Sequence, residues 1–105
     1  MTNSESTRYH ARQAEVIKAV AHPLRVAIVY FLAGGEQCVC DIAAHLSAER
    51  TGISKHLSLM VGAGILTSRK DGLKVIYRLK TPCIVEFLDC IGKVVRMDLE
   101  ESSQL

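Results

Sequence analysis

Four cysteines are the residues of this 105-residue sequence best suited to chemistry: Cys38 and Cys40, separated by one residue, and Cys83 and Cys90, two helical turns apart. Within a helix, residues i and i+2 lie about 200° apart, so Cys38 and Cys40 would diverge there. At a helix start the objection weakens. With Cys38 as the N-cap residue its dihedrals are not helical and its sulfur can turn toward Cys40, while the positive end of the helix favours thiolate. Soft thiolates select thiophilic ions over Mg²⁺ or Ca²⁺, and the scarcity of His and carboxylate groups nearby argues against a Zn²⁺ or Ni²⁺ preference. The same thiolates would serve a redox or persulfide sensor. Cys83 and Cys90 read equally as third-sulfur donors projecting from one side of a last helix or as small apolar residues at a seam. An enzyme is not expected: dithiol reductases keep two residues between their cysteines after a strand, whereas here there is one and the surroundings read as helical.

A second set of residues could meet phosphate. Residues 47–80 carry seven Lys/Arg against two Asp/Glu, net +5, whereas residues 1–46 sum to zero and residues 81–105 to −3. Basic character concentrated in a third of the chain suits one surface facing nucleic acid. On a helical wheel Arg50, Thr51, Ser54, Lys55 and Ser58 share one face, opposed by Ile53, Leu57 and Met60. Arg50 could bond guanine, Thr51 and Ser54 a base or a phosphate, and Lys55 a phosphate. His56 lies at the edge of the apolar face, where packing or one phosphate bond suits it. Arg69, Lys70, Lys74 and Arg78 extend the positive surface. The bland alternative for these charges is a solvated face.

The elements that must position these groups are legible from periodicity. Tyr9 to Val20 reads as a first helix, ended by His22-Pro23, and Leu24 to Leu32 as a second, stopped by Gly34-Gly35. Cys38 to Leu46 and Arg50 to Val61 form two short helices joined by a tight link, the shape of a helix-turn-helix. From Ile65 the period drops to two, and Asp71-Gly72 between alternating runs signals a hairpin, a wing behind the second of those helices. Pro82 opens a last helix to about Leu99, where Ile84, Val85, Phe87, Leu88, Ile91, Val94 and Val95 exceed what one small core absorbs. The surplus predicts a dimer. The fold expected is therefore mostly α with a β-hairpin wing, a winged helix-turn-helix in the order α-α-α-α-β-β-α, over residues 9–97. Residues 1–8 and the acidic stretch 98–105 read as mobile tails. No apolar run reaches membrane-span length and MTNSESTRYH lacks the regions of a signal peptide, so a cytoplasmic protein without membrane partners, its thiols kept reduced, is expected.

From about residue 13 to 95 the sequence resembles the ArsR/SmtB family of metal-responsive repressors. The resemblance rests on HPLRVAIVYFL, CVCDIAAHL, the recognition segment TGISKHLSLMVGAGIL and the wing SRKDGLKVIYRL. It implies a homodimer joined through first and last helices, bound to an imperfect palindrome of double-stranded operator DNA and released by an inducer. The CVCD stretch is similar to the arsenic-sensing subset, implying As(III) or Sb(III), with Cd²⁺ or Pb²⁺ as further inducers, on Cys38, Cys40 and a third thiol. Members of that subset often carry another cysteine one turn later, where this chain has Ala43 and Ala44; the third sulfur then comes from Cys83 or Cys90, or is absent. The zinc-sensing pattern of Asp and His pairs on the last helix does not occur: Glu86 and Asp89 are there, but no His follows Tyr77.

Overall fold

The structure, a computed structural model, describes residues 2–104, with side chains through residue 101. Met1 and Leu105, the extremes of the two expected tails, lie outside the described residues. Helix α1 (Asn3–Val20) starts six residues earlier than its apolar period suggests, because Thr2 and Glu5 close a capping box. The Glu5 amide donates to Thr2 Oγ1 (3.2 Å) and the Thr2 amide to Glu5 Oε2 (3.1 Å), satisfying two otherwise orphaned donors. Helix α2 (Pro23–Ala33) turns away by 87°. His22 is its N-cap, its Nδ1 accepting from the Leu24 amide (3.1 Å), and Pro23 occupies the first turn, where the missing N–H costs nothing.

A two-residue strand, β1 (Gln37–Cys38), comes next; the sequence reading places Cys38 in the following helix instead. Its pairing is non-local, Gln37 opposite Tyr77 and Cys38 opposite Ile76, which is why local periodicity misses it. Helices α3 (Val39–His45) and α4 (Arg50–Gly62) form the helix-turn-helix. Their link is tightened by Ser47 in the left-handed region (φ 51°) and by the Ala48 amide donating to the Ala43 carbonyl (3.0 Å). Strands β2 (Leu66–Asp71) and β3 (Lys74–Leu79) make the wing, Gly72 supplying the positive φ (64°) that opens the two-residue loop. The three strands lie in the order β1-β3-β2, all antiparallel.

Helix α5 (Ile84–Gln104) continues past Leu99, so the acidic stretch expected as a tail is helical through Gln104. Pro82 and Cys83 form a turn ahead of it, so Cys83 precedes the helix instead of standing on it as expected. The Cys83 carbonyl accepts from the Phe87 amide (3.2 Å). The core gathers Ile28, Ile42, Ile53, Leu57 and Met60, all fully enclosed, under Ile65 and Leu66. From α5 only the first turns enter it, through Ile84 and Leu88; Ile91, Val94, Val95 and Met97 stand 45–60% exposed. No single helix among the described residues is long and apolar enough to cross a membrane.

Candidate nucleic-acid interface

Helix α4 is held by its inner face, where Ile53, Leu57 and Met60 recur at i, i+4 and i+7 and are fully buried. That fixes its roll. Arg50, Thr51, Ser54, Lys55 and Ser58 then line one shallow exposed groove on the outside. All five expected outer-face residues therefore come together, carrying two cations and three hydroxyls that can donate or accept. Lys70 and Lys74 are exposed on the wing beside its loop, at registers one pair apart. Arg50, Lys55, Lys70, Lys74 and Arg78 make no ion pair among the described residues. Unneutralised cations on a helix and an adjoining hairpin can meet two stretches of phosphate backbone while the helix hydroxyls reach base edges.

Two expected contacts turn elsewhere. His56 is half-buried and points to the start of α2, its Nδ1 accepting from Arg25 Nε at 3.0 Å and its ring 4.5 Å from that of His22. Burial, then the neighbouring His22 and Arg25, hold its pKa below the ordinary 6.5, so it is neutral at pH 7 and suited to accept from arginine rather than donate to phosphate. Arg25 also donates through Nη1 to the Lys18 carbonyl (3.2 Å). Arg69 pairs with Glu36 Oε2 at 2.8 Å and lies 3.9 Å from Asp71 Oδ2.

Sequence reasoning passes over the residues that steady α4 from outside. Arg12 of α1 donates through Nη2 to the Ala63 carbonyl (3.1 Å), at the end of α4. That places a cation at the helix C-terminus, where the dipole is negative. Both arginine contacts join residues more than 30 positions apart, so no local spacing reveals them.

The cysteines divide. Cys38 is the N-cap of α3, in extended dihedrals (φ −81°, ψ 161°), with no side-chain capping bond, and only 5% exposed. Cys40, Cys83 and Cys90 are exposed, and all four thiols are free. Among the described residues no three of His, Cys, Asp and Glu cluster closely enough to hold a metal ion. A single chain thus offers a buried and an exposed sulfur across the first turn of α3, with no third donor beside them.

Residues 22–68, which span α2 through the start of β2, match the family described as "Bacterial regulatory protein, arsR family". The chain is 33% identical over 78 residues to an arsenical resistance operon repressor of Staphylococcus xylosus, covering 74% of this chain and 71% of that protein. It is 35% identical over 65 residues to the HTH-type transcriptional repressor SmtB of Mycobacterium tuberculosis; that match takes in 62% of this chain, which spans about half (48%) of the relative's length. Among solved structures, a homodimeric winged helix-turn-helix DNA-binding domain from Mycobacterium bovis superposes with a TM-score of 0.80 at 25% identity, over 96% of this chain and 93% of that one. With its α3–α4 pair and β2–β3 wing matching in order and its sequence matching over most of a repressor's length, the chain belongs to the arsR family of bacterial regulatory proteins.

Proposed function

We propose that this protein is a homodimeric transcriptional repressor that binds operator DNA through α4 and the wing and lets go when its thiols take up a thiophilic ion. The observation that carries the reading is the outer face of α4: five polar or cationic side chains converge on one groove while the opposite face is locked into the core. Arg50 reads guanine, Thr51, Ser54 and Ser58 bond base edges or phosphate, and Lys55, Lys70 and Lys74 neutralise phosphate. Arg69 joins them on leaving Glu36, while His56 supports α4 from behind. The apolar ladder of α5, with the exposed Ile17 and Tyr9 of α1, supplies the dimer contact. A two-fold dimer would present two recognition helices to an imperfect palindrome.

The inducer assigned is As(III) or Sb(III), with Cd²⁺ or Pb²⁺ able to use the same sulfurs. Such an ion, when bound, ties thiolates together. Cys40 is already at the surface, and Cys38 sits at a helix cap, free of helical dihedrals. Drawing the Cys38 sulfur toward Cys40 must disturb the first turn of α3, the helix against which α4 packs, and so tilt the reading face. A third sulfur, where one is used, comes from Cys83 or Cys90, brought in by rearrangement or by a second copy.

The test is fluorescence anisotropy of a labelled duplex from the protein's own promoter, with reduced protein first and then separate titrations of arsenite, Cd²⁺ and an oxidising sulfur donor. Release by arsenite that Cys38→Ser or Cys40→Ser abolishes is the expected result. Indifference to every metal with release by the sulfur donor would replace this reading with thiol oxidation as the signal.

A further inference from the structure

Among the wing's cations, Lys70, Lys74 and Arg78 have no ionic partner among the described residues, whereas Arg69 is held by two carboxylates. The stronger hold is Glu36, 33 residues away, in the segment between α2 and β1 and two residues before Cys38. The register explains the reach. Cys38 stands opposite Ile76 and Ile76 opposite Arg69, so the three form one row across the sheet and face one side. Glu36, two positions from Cys38, alternates back to that side and meets the guanidinium across an intervening strand at 2.8 Å. The two side chains are 41% and 58% exposed, so the pair is weak and exchangeable. A DNA phosphate offers the guanidinium the same paired oxygens and adds the entropy of counterion release.

We infer that Glu36 is a positioning residue for the DNA-binding surface: its carboxylate competes with phosphate for Arg69 and holds that cation back in the free protein. The inference rests on the DNA-binding reading above. Non-specific binding is the term most reduced, because phosphate contacts supply nearly all of it. Glu36 therefore raises the contrast between operator and random DNA. Its place on the segment leading into Cys38 also makes the availability of a wing cation follow the position of the strand that carries a thiol.

The experiment is an anisotropy titration of a labelled random-sequence duplex over a salt series, with wild type, Glu36→Gln, Arg69→Gln and the double variant, each first shown to melt cooperatively. Glu36→Gln is expected to bind about two- to fivefold more tightly at low salt and to steepen the log–log salt slope by about 0.9, one further phosphate contact. Arg69→Gln alone should keep the wild-type slope, and the double variant should lose the gain. A gain that persists in the double variant would show that deleting a negative charge acts at large, and overturn the inference. An unchanged affinity and slope in Glu36→Gln would also overturn it. If no variant, wild type included, binds any duplex at low salt, the DNA-binding reading itself falls and takes this inference with it.

Discussion

Replacing Arg25 with methionine probes how α4 is held at its angle. The side chain volume is nearly kept, but two hydrogen bonds go: Arg25 Nε to His56 Nδ1 at 3.0 Å and Nη1 to the Lys18 carbonyl at 3.2 Å. The first is partly buried and has a charged donor; the second is exposed and worth less. Together they should contribute about 1–2 kcal/mol, a fall in Tm of roughly 6–12 °C at fixed protein concentration. The variant has a second signature, in pH. His56 titrates below its unfolded value of 6.5, so the unfolded chain binds more protons than the folded one in the window beneath 6.5. His56's contribution to stability is thus complete above that window and is lost as pH falls through it toward the folded pKa. Burial is the largest cause of the shift, followed by the His22 and Arg25 charges, so removing Arg25 should raise the His56 pKa and narrow the window without closing it. Thermal melts at pH 7.5 and in mildly acidic buffer, with an NMR titration of the His56 ring, measure both. A Tm within about 2 °C of wild type, with an unmoved His56 titration, would refute the claim that Arg25 anchors the helix.

Three other outcomes are expected. Ser47, a non-glycine residue at φ 51°, should tolerate Gly with unchanged or higher stability, whereas Ser47→Val should cost about 1–2 kcal/mol in urea unfolding, because a β-branched side chain crowds the left-handed backbone. Lys55→Gln should weaken binding to any duplex and flatten the salt slope by about 0.9, with no change in Tm, since Lys55 is exposed and unpaired. Tyr30 donates to Asp89 Oδ1 at 2.7 Å between α2 and α5, and that bond, with slight burial and the carboxylate charge, raises its phenol above the ordinary 10.0. Tyr30→Phe should therefore remove the latest-titrating component from a high-pH tyrosinate spectrum.

The elements most legible in the sequence are those whose evidence is local. Helices α2, α3 and α4 announce themselves by apolar spacing, and the wing by alternation around Asp71-Gly72. Cys38 as the N-cap of α3 follows from the same kind of reading. The early start of α1 was readable in principle, since Thr2 and Glu5 stand at capping-box spacing, but an argument built on apolar residues has no purchase on a polar first turn. Strand β1 was not readable: two residues carry no period, and what makes them a strand is Tyr77 and Ile76 arriving from 40 positions downstream. The surface divides along the same line. The common face of Arg50, Thr51, Ser54, Lys55 and Ser58 is a property of one helix and was visible; the ties of His56 to Arg25 and of Arg69 to Glu36 are tertiary, and residue type alone counted both as cations or donors open to DNA.

The brevity of β1 sets a clock. Cys38 is shielded within a strand held by two register pairs, so its sulfur reaches solvent through local peeling of Gln37 and Cys38 from β3, without the core coming apart. Any electrophile or ion that captures this thiol must wait for that opening. At low reagent the rate rises with concentration in proportion to the open fraction; at high reagent it levels off at the peeling rate itself. Cys40, already at the surface, has no such ceiling. How quickly the two thiols can be joined is thus fixed by the lifetime of a two-residue strand, whatever the reagent.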